Sequence, residues 1–200
     1  EESSPSDPVP ATPMSSTVQE HSHDDGTAEL GFNVEGTAVN NNFSAVRYTA
    51  NSEGEDIARF KWNQNGLGGV FYIKVWDDAE LFEDIGVDGV GVEDGVYAQG
   101  EPFTDSNANG LWDSHIGLPG NKIYSKFQVS GNKDGWNEKD LYAQGLNVSG
   151  DFWIGVGEFS SSKPFGLDTD SNSGASYKRI GADGNWEAVV EGNLMYRVFL

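Results

Sequence analysis

Hydrophobic and polar residues alternate along most of the chain from about residue 27 onwards. In the segment from Val70 to Trp76, the side chains of Phe71, Ile73 and Val75 fall on one face and the residues between them on the other. This period of two predicts β-strands. The predicted strands cover residues 27–34, 43–47, 58–62, 70–76, 123–129, 136–143, 152–159, 176–180, 185–189 and 194–200.

The fold class follows from these strands and from the turns between them. No window of helical length places apolar residues at i, i+3, i+4 and i+7. Asn65-Gly66 and Gly68-Gly69 are hairpin signals. The sequence therefore predicts an all-β domain of about nine to eleven strands, arranged as a jelly-roll-like antiparallel β-sandwich. Two hundred residues are enough for one such domain with a real core.

The first 22 residues differ in composition from the rest. Four of the seven prolines lie there, among Ser, Thr and acidic residues. We interpret residues 1–22 as an extended N-terminal tail, and residues 23–200 as the sandwich domain. Because Pro lacks a backbone donor, we expect regular strand pairing only between Met14 and Glu20.

An acidic stretch runs from Asp77 to Asp113 and forms an insertion at 77–120. It contains eleven Asp or Glu residues and no Lys or Arg. So many carboxylates in a folded segment repel one another unless a cation neutralises them. The alternative is a solvated acidic loop, since turn chemistry alone accounts for Asn-Gly and Asp-Gly. Its length and its interspersed apolar residues favour a loop that is ordered by calcium.

The end of this insertion has the spacing of a calcium loop of the D-x-[DN]-x-[DN]-G type. Its side-chain ligands would be Asp105, Asn107 and Asn109, with Leu111 contributing a backbone carbonyl and Asp113 a carboxylate. Position 12 is Ile116 instead of the Glu of an EF-hand. The missing ligand must come from upstream acids, for which the candidates are Asp84, Asp88, Glu93, Asp94 and Glu101.

Three further patterns suggest cation sites. The loose motif from Asp84 to Gly89 suggests a second ion beside the first. His21 and His23 beside Asp24 and Asp25 are either a transition-metal site or a chance alternation. Asp168, Asp170 and Asn172 form a short D-x-D-x-N turn, although Gly174 lies one place beyond the calcium-loop glycine.

Charge and composition limit the partners and the compartment. The net charge of −20 and a pI near 4.2 argue against nucleic acid and anionic membranes as partners. No apolar run approaches the roughly 18 residues of a membrane helix. With no cysteine, bound calcium would take the place of disulfides. We expect an extracellular protein, secreted or at the cell surface, with Glu1 starting a mature chain or an excised fragment.

No catalytic motif is present. The sequence has no G-x-S-x-G, no P-loop, no H-E-x-x-H and no cysteine nucleophile. We therefore expect that the protein is not an enzyme. Among the tryptophans, Trp62, Trp76 and Trp153 are predicted core residues. Trp112, Trp136 and Trp186 lie near turns and form either a sugar-stacking platform or ordinary packing.

Parts of the chain resemble a known family. The segments are HDDGTAELGF, FSAVRYT and GVFYIKVWDD, then LYAQGLNVSGDFWIGVGEF, PFGLDTDSNSGASY, GNWEAV and GNLMYRVFL. They resemble a jelly-roll-like accessory module of secreted bacterial peptidases and surface proteins, over residues 23–78 and 121–200. EPFTDSNANGLWD resembles the calcium loops of thrombospondin type 3 and dockerin modules. This resemblance implies a non-catalytic role and an insertion between the fourth and fifth strands.

Two functions fit these observations. The first is a calcium-binding structural subunit that self-associates through residues 1–25 into a surface or filamentous assembly, with the tail running along a neighbour. The second is an accessory module of a secreted hydrolase that binds carbohydrate or a surface protein, with the same tail as its linker.

Overall fold

The computed structural model describes residues 18–32, 42–66, 69–79, 99, 102–103, 112, 116–129, 134–158, 165–181 and 184–200. Thirteen strands lie within these ranges, together with a short 3-10 turn at Tyr142–Gln144. The strands are β1 (Glu20–His21), β2 (Leu30–Phe32), β3 (Asn42–Asp56), β4 (Arg59–Gln64), β5 (Val70–Trp76), β6 (Lys122–Val129), β7 (Gly135–Asp140), β8 (Asn147–Gly157), β9 (Phe165–Asp168), β10 (Ser176–Ile180), β11 (Trp186–Ala188), β12 (Asn193–Leu194) and β13 (Tyr196–Phe199).

The strands form two antiparallel sheets, which confirms the predicted all-β sandwich. The first sheet has the order β1-β13-β4-β9-β12, with β2 paired to β9 and β7 paired to β4. The second has the order β11-β10-β3-β8-β5-β6. In the described part of the chain, no helix has the length and apolar character needed to cross a bilayer.

The main core lies between the sheets, on the faces that the alternation predicts. In β5 the core-facing residues are Phe71, Ile73 and Val75, and all three are buried. The core-facing residues of β8 are apolar as well. Burying an aliphatic or aromatic side chain contributes about 1.5–3 kcal/mol. The largest buried side chains in this core are Trp62, Tyr196, Phe60, Phe71, Phe152, Phe165, Ile57, Ile73, Leu141 and Ile154.

A second aromatic cluster covers the opposite face of the second sheet. Its buried members are Phe43, Ala45, Trp76 and Trp153, with Tyr177 and Trp186 packed against them. The prediction of core positions for Trp62, Trp76 and Trp153 is therefore confirmed. The strands β3, β5 and β8 therefore bury side chains on both faces.

The strand boundaries differ from the prediction in several places. The strand β8 begins at Asn147 rather than at residue 152, and β7 ends at Asp140, where the chain enters the 3-10 turn. The strand β3 runs on to Asp56, with a register shift between Ala50 and Glu55. The short strands β1 and β9 are not predicted by the alternation.

Candidate functional site

The acidic insertion starts and ends at adjacent positions of one sheet. The strands before and after it, β5 and β6, pair antiparallel from Val70↔Val129 to Trp76↔Lys122. About 45 residues therefore connect Trp76 to Lys122, which lie opposite each other in the sheet. The two ends of the insertion thus lie side by side, at the end of β5 and the start of β6.

Backbone hydrogen bonds close the neck of this loop. The N–H of Asp77 donates to the carbonyl of Asn121 at 3.0 Å, and the N–H of Asn121 donates to the carbonyl of Ala79 at 2.8 Å. The N–H of Gly120 donates to the carbonyl of Asp77 at 2.9 Å. A Cβ atom at Gly120 would lie 1.8 Å from the carbonyl oxygen of Ala79, so this close crossing requires glycine.

The first two carboxylates of the acidic stretch also hold the neck. Asp77 Oδ1 accepts the N–H groups of Ala79 and Asn121, each at 3.1 Å. Asp78 Oδ1 accepts the N–H of Gly117 at 2.6 Å. Burial raises the pKa of Asp77, and the hydrogen bonds that it accepts act in the opposite direction. Both side chains therefore fasten the two ends of the insertion together.

The predicted calcium ligands lie farther along the insertion, outside the described residues. They are Asp84, Asp88, Glu93, Asp94, Glu101, Asp105, Asn107, Asn109, Leu111 and Asp113. Within the described ranges no group of three or more His, Asp or Glu side chains has an arrangement that would hold a metal ion. The calcium site thus remains a prediction from the sequence, and the neck is the part of the insertion that the structure describes.

The chain enters the sandwich through an N-terminal strap, which comprises Gln19–Phe32. Gln19 exchanges two backbone hydrogen bonds with Leu200, at 2.8 and 3.1 Å, and β1 continues this pairing along β13. At the other end of the strap, β2 pairs with β9 and buries Phe32. The sequence analysis places residues up to 22 in a tail that leaves its own domain. The structure differs for Gln19 and Glu20, which pair with the last strand of their own chain.

Arg197 fastens this strap to the sandwich. Its Nε donates to the two carboxylate oxygens of Asp24 at 3.1 and 3.2 Å, and Nη2 also contacts Asp24. Nη1 donates to Glu20 at 2.6 Å, and the guanidinium lies 4.4 Å from the ring centroid of Trp136. Hydrogen bonds to Asp24 raise the pKa of Arg197, while burial lowers it. The sequence analysis missed this ion pair, because its partners are 173 positions apart.

His23 has hydrogen-bonding and stacking partners within the fold. Nε2 of His23 lies 2.9 Å from the carbonyl oxygen of Arg47, and its ring stacks on Tyr48 with centroids 5.0 Å apart. The carboxylate of Asp24 is bound to Arg197, as described above. His21 and His23 line an open groove of about 490 Å³. These contacts favour the interpretation that the alternation of His and Asp is not a metal site.

The D-x-D-x-N turn uses its side chains within the fold. Asp168 is fully buried, and its oxygens accept the N–H groups of Asp25 at 3.0 Å and Asp170 at 2.9 Å. Asn172 donates to the carbonyl of Val190 at 2.9 Å and accepts the N–H of Gly174 at 2.8 Å. The turn therefore fixes the backbone in the middle of the strap, at Asp25.

Of the three tryptophans near turns, Trp136 and Trp186 lie in strands of different sheets and do not form a common platform. Trp136 has Arg197 and Lys61 over its ring, with the Lys61 Nζ 4.9 Å from the centroid. Trp186 packs edge-on against Trp76, and the guanidinium of Arg179 lies 5.2 Å from its ring centroid. Trp112 is partly buried. Packing therefore accounts for Trp136 and Trp186.

Comparisons with protein-family models, with curated proteins and with solved structures found no match for this chain. The fold is therefore established at the level of an all-β sandwich of two antiparallel sheets.

Proposed function

We propose that this chain is a non-catalytic, extracellular, calcium-binding structural subunit that self-assembles through its N-terminal tail. The observation that carries the proposal is the closed neck between Asp77 and Asn121. The neck joins the two ends of a segment with eleven acidic residues, where β5 ends and β6 begins.

The closed neck supports calcium binding for an electrostatic reason. A loop tied at both ends cannot extend freely to separate its carboxylates, so their repulsion persists unless a cation binds. Closing a loop of this length also costs conformational entropy, which a bound ion helps to offset. The spacing of Asp105, Asn107 and Asn109 supplies the oxygen ligands that calcium prefers.

The fixed position of the strap supports assembly through the tail. Gln19 is hydrogen-bonded to Leu200 at the edge of the first sheet, so the tail is attached to the domain at that edge. A 17-residue extended chain spans at most about 55–60 Å, which is enough to reach a neighbouring subunit. Calcium would reduce the repulsion between subunits that each carry a net charge of −20.

The resemblance to a jelly-roll-like accessory module is compatible with this function and remains part of the proposal. The alternative function is that of a carbohydrate-binding module of a secreted hydrolase. Trp136 and Trp186 do not support it, since cationic side chains lie over both rings.

Light scattering on the purified chain tests the assembly. With calcium, the full chain should form particles much larger than the 21.6 kDa monomer, and chelation should reduce them. A variant lacking residues 1–17 should stay monomeric while keeping its fold, because the deletion leaves the strap intact. Equal assembly by both chains would show that the tail is only a linker. A full chain that is monomeric in calcium would contradict the proposed function.

A further inference from the structure

The strand β6 forms one edge of the second sheet. It is eight residues long, pairs with β5 along one side, and has no strand partner on its other side among the described residues. The backbone groups along that side are directed away from the sheet. A long edge of this kind accepts an added strand from another chain unless its sequence prevents pairing.

The side chains of this edge provide an apolar contact surface. Ile123 is 40% exposed and Phe127 is 53% exposed, and Phe127 packs edge-on against Tyr72 of the neighbouring strand. Val70, at the start of β5, is 51% exposed. Large apolar side chains that remain exposed together on a sheet edge are typical of a contact surface.

The charge of β6 is opposite to that of the whole chain. Lys122 and Lys126 lie in the strand, which contains no Asp or Glu, whereas the chain carries a net charge of −20. Lys126 lies opposite Ile73, whose side chain faces the core, so this lysine is an inward-facing charge on an edge strand. Such charges disfavour pairing of one β6 edge with another, and they favour a partner whose nearby segments carry negative charge.

We propose that β6 is the acceptor edge for the N-terminal tail of a second copy of this chain, whose residues Met14–Val18 add to the sheet as a strand. The inference rests on the proposed function and names its contact surface. Met14–Val18 contains no proline, so all five N–H donors are available. The residues before this segment include Glu1, Glu2 and Asp7 but no Lys or Arg, which complements the lysines of β6.

The position of the strap favours a second copy over the same chain. Glu20 lies opposite Phe199, Phe199 opposite Arg59, and Arg59 opposite Asp140. Three strand spacings of about 4.8 Å therefore separate the strap from β7 within the first sheet. Because Gln19 is fixed to Leu200 at the edge of the first sheet and β6 lies at the edge of the second, the tail of the same molecule would have to cross from one sheet to the other to reach β6, which favours a second copy.

Cysteine trapping tests this contact, because the natural chain has no cysteine. One full-length protein carries Ser16→Cys in the tail, and a second carries Ser125→Cys in β6. A matched control carries Glu187→Cys in β11, the strand at the other edge of the same sheet. The tail protein is mixed with each partner in calcium under mild oxidation, and light scattering follows assembly in the same samples.

We expect the mixed disulfide with Ser125→Cys to form about fivefold more than that with Glu187→Cys. Adding Lys122→Glu and Lys126→Glu to the β6 protein should lower the yield, whereas Lys139→Glu with Lys178→Glu, an equal charge change elsewhere, should not. Assembly without preferential linkage at β6 would overturn this inference and leave the proposed function standing. A single chain that carries both Ser16→Cys and Ser125→Cys is a further control, and a disulfide formed within that chain would overturn the inference too. Absence of assembly would overturn both.

Discussion

Calcium should raise the melting temperature of the metal-free chain by about 5–10 °C. A ligand that binds only the folded state adds about 2.7 kcal/mol at a hundredfold excess over its Kd. For a protein of this size, each kcal/mol shifts the melting temperature by roughly 2–4 °C. The closed neck between Asp77 and Asn121 should transmit this stabilisation to β5 and β6, because the loop starts and ends at these paired strands.

The variant Asp105→Ala should separate calcium binding from a general effect of charge. Without calcium it should melt at or slightly above the natural chain, because it removes one repelling carboxylate. With calcium it should melt below the natural chain, because it lacks a ligand. Glu187→Ala removes the same charge from an exposed position in β11 and should keep the full calcium shift. Scanning calorimetry measures all three chains, and equal shifts in all of them would contradict the ligand assignment.

Arg197→Ala should destabilise the fold by about 3 kcal/mol, because it leaves a buried carboxylate without its cation. The side chain of Asp24 is fully buried and that of Arg197 is only 16% exposed. At this size the loss corresponds to a fall in melting temperature of roughly 6–12 °C. Hydrogen exchange should also become faster at the N–H groups of Gln19 and Leu200, which join the strap to the last strand.

The matched control is Arg59→Ala in the adjacent strand β4. Arg59 is 40% exposed, lies 3.6 Å from Glu138, and has its guanidinium over the ring of Phe199. Exposed pairs of this kind contribute about 0–1 kcal/mol, so this variant should melt near the natural chain. Arg197→Lys should have an intermediate effect, because lysine keeps the charge but loses the two-pronged hydrogen bonding. A loss in Arg197→Ala no larger than in Arg59→Ala would contradict a stabilising role for the ion pair.

The alternation of apolar residues is sufficient to predict the strands whose faces differ in polarity. In β5 it identifies Phe71, Ile73 and Val75 as the core-facing residues, and the structure buries all three. It does not predict the burial of the whole other face, where Trp76 is a predicted core residue but Lys74 is not. That burial depends on Phe43 and Trp186, which lie far away in the sequence and are brought together by the sheet order.

The short strands β1 and β9 could not be predicted, because they are too short to show a period. The strand β1 has two residues and is held by pairing with β13 and by the contacts of Arg197. Nothing near Glu20 or Asp24 in the sequence indicates a partner at the C-terminal end of the chain. The interpretation of residues up to 22 as a tail followed from composition alone, which does not report contacts over such distances.

The candidate site was predicted in a different way, from residue spacing instead of periodicity. The run of acids and the sequence from Asp105 to Asp113 indicate calcium ligands, but spacing alone does not show how the ends of the insertion are held. The roles of Asp77 and Asp78 in closing the neck depend on Gly117 and Asn121, about 40 positions away. That closure results from the pairing of β5 with β6, which joins the two ends in space.

Isothermal titration of calcium into the metal-free full chain tests the calcium site most directly. We expect saturable binding with a Kd of about 10⁻³ M or tighter, which suits an extracellular site. The double variant Asp105→Ala with Asp113→Ala should lose the binding heat of at least one ion, while Glu187→Ala should bind calcium as the natural chain does. A natural chain that gives no binding heat and shows no retained calcium on equilibrium dialysis, or a double variant that binds calcium unchanged, would contradict a calcium site in the acidic insertion.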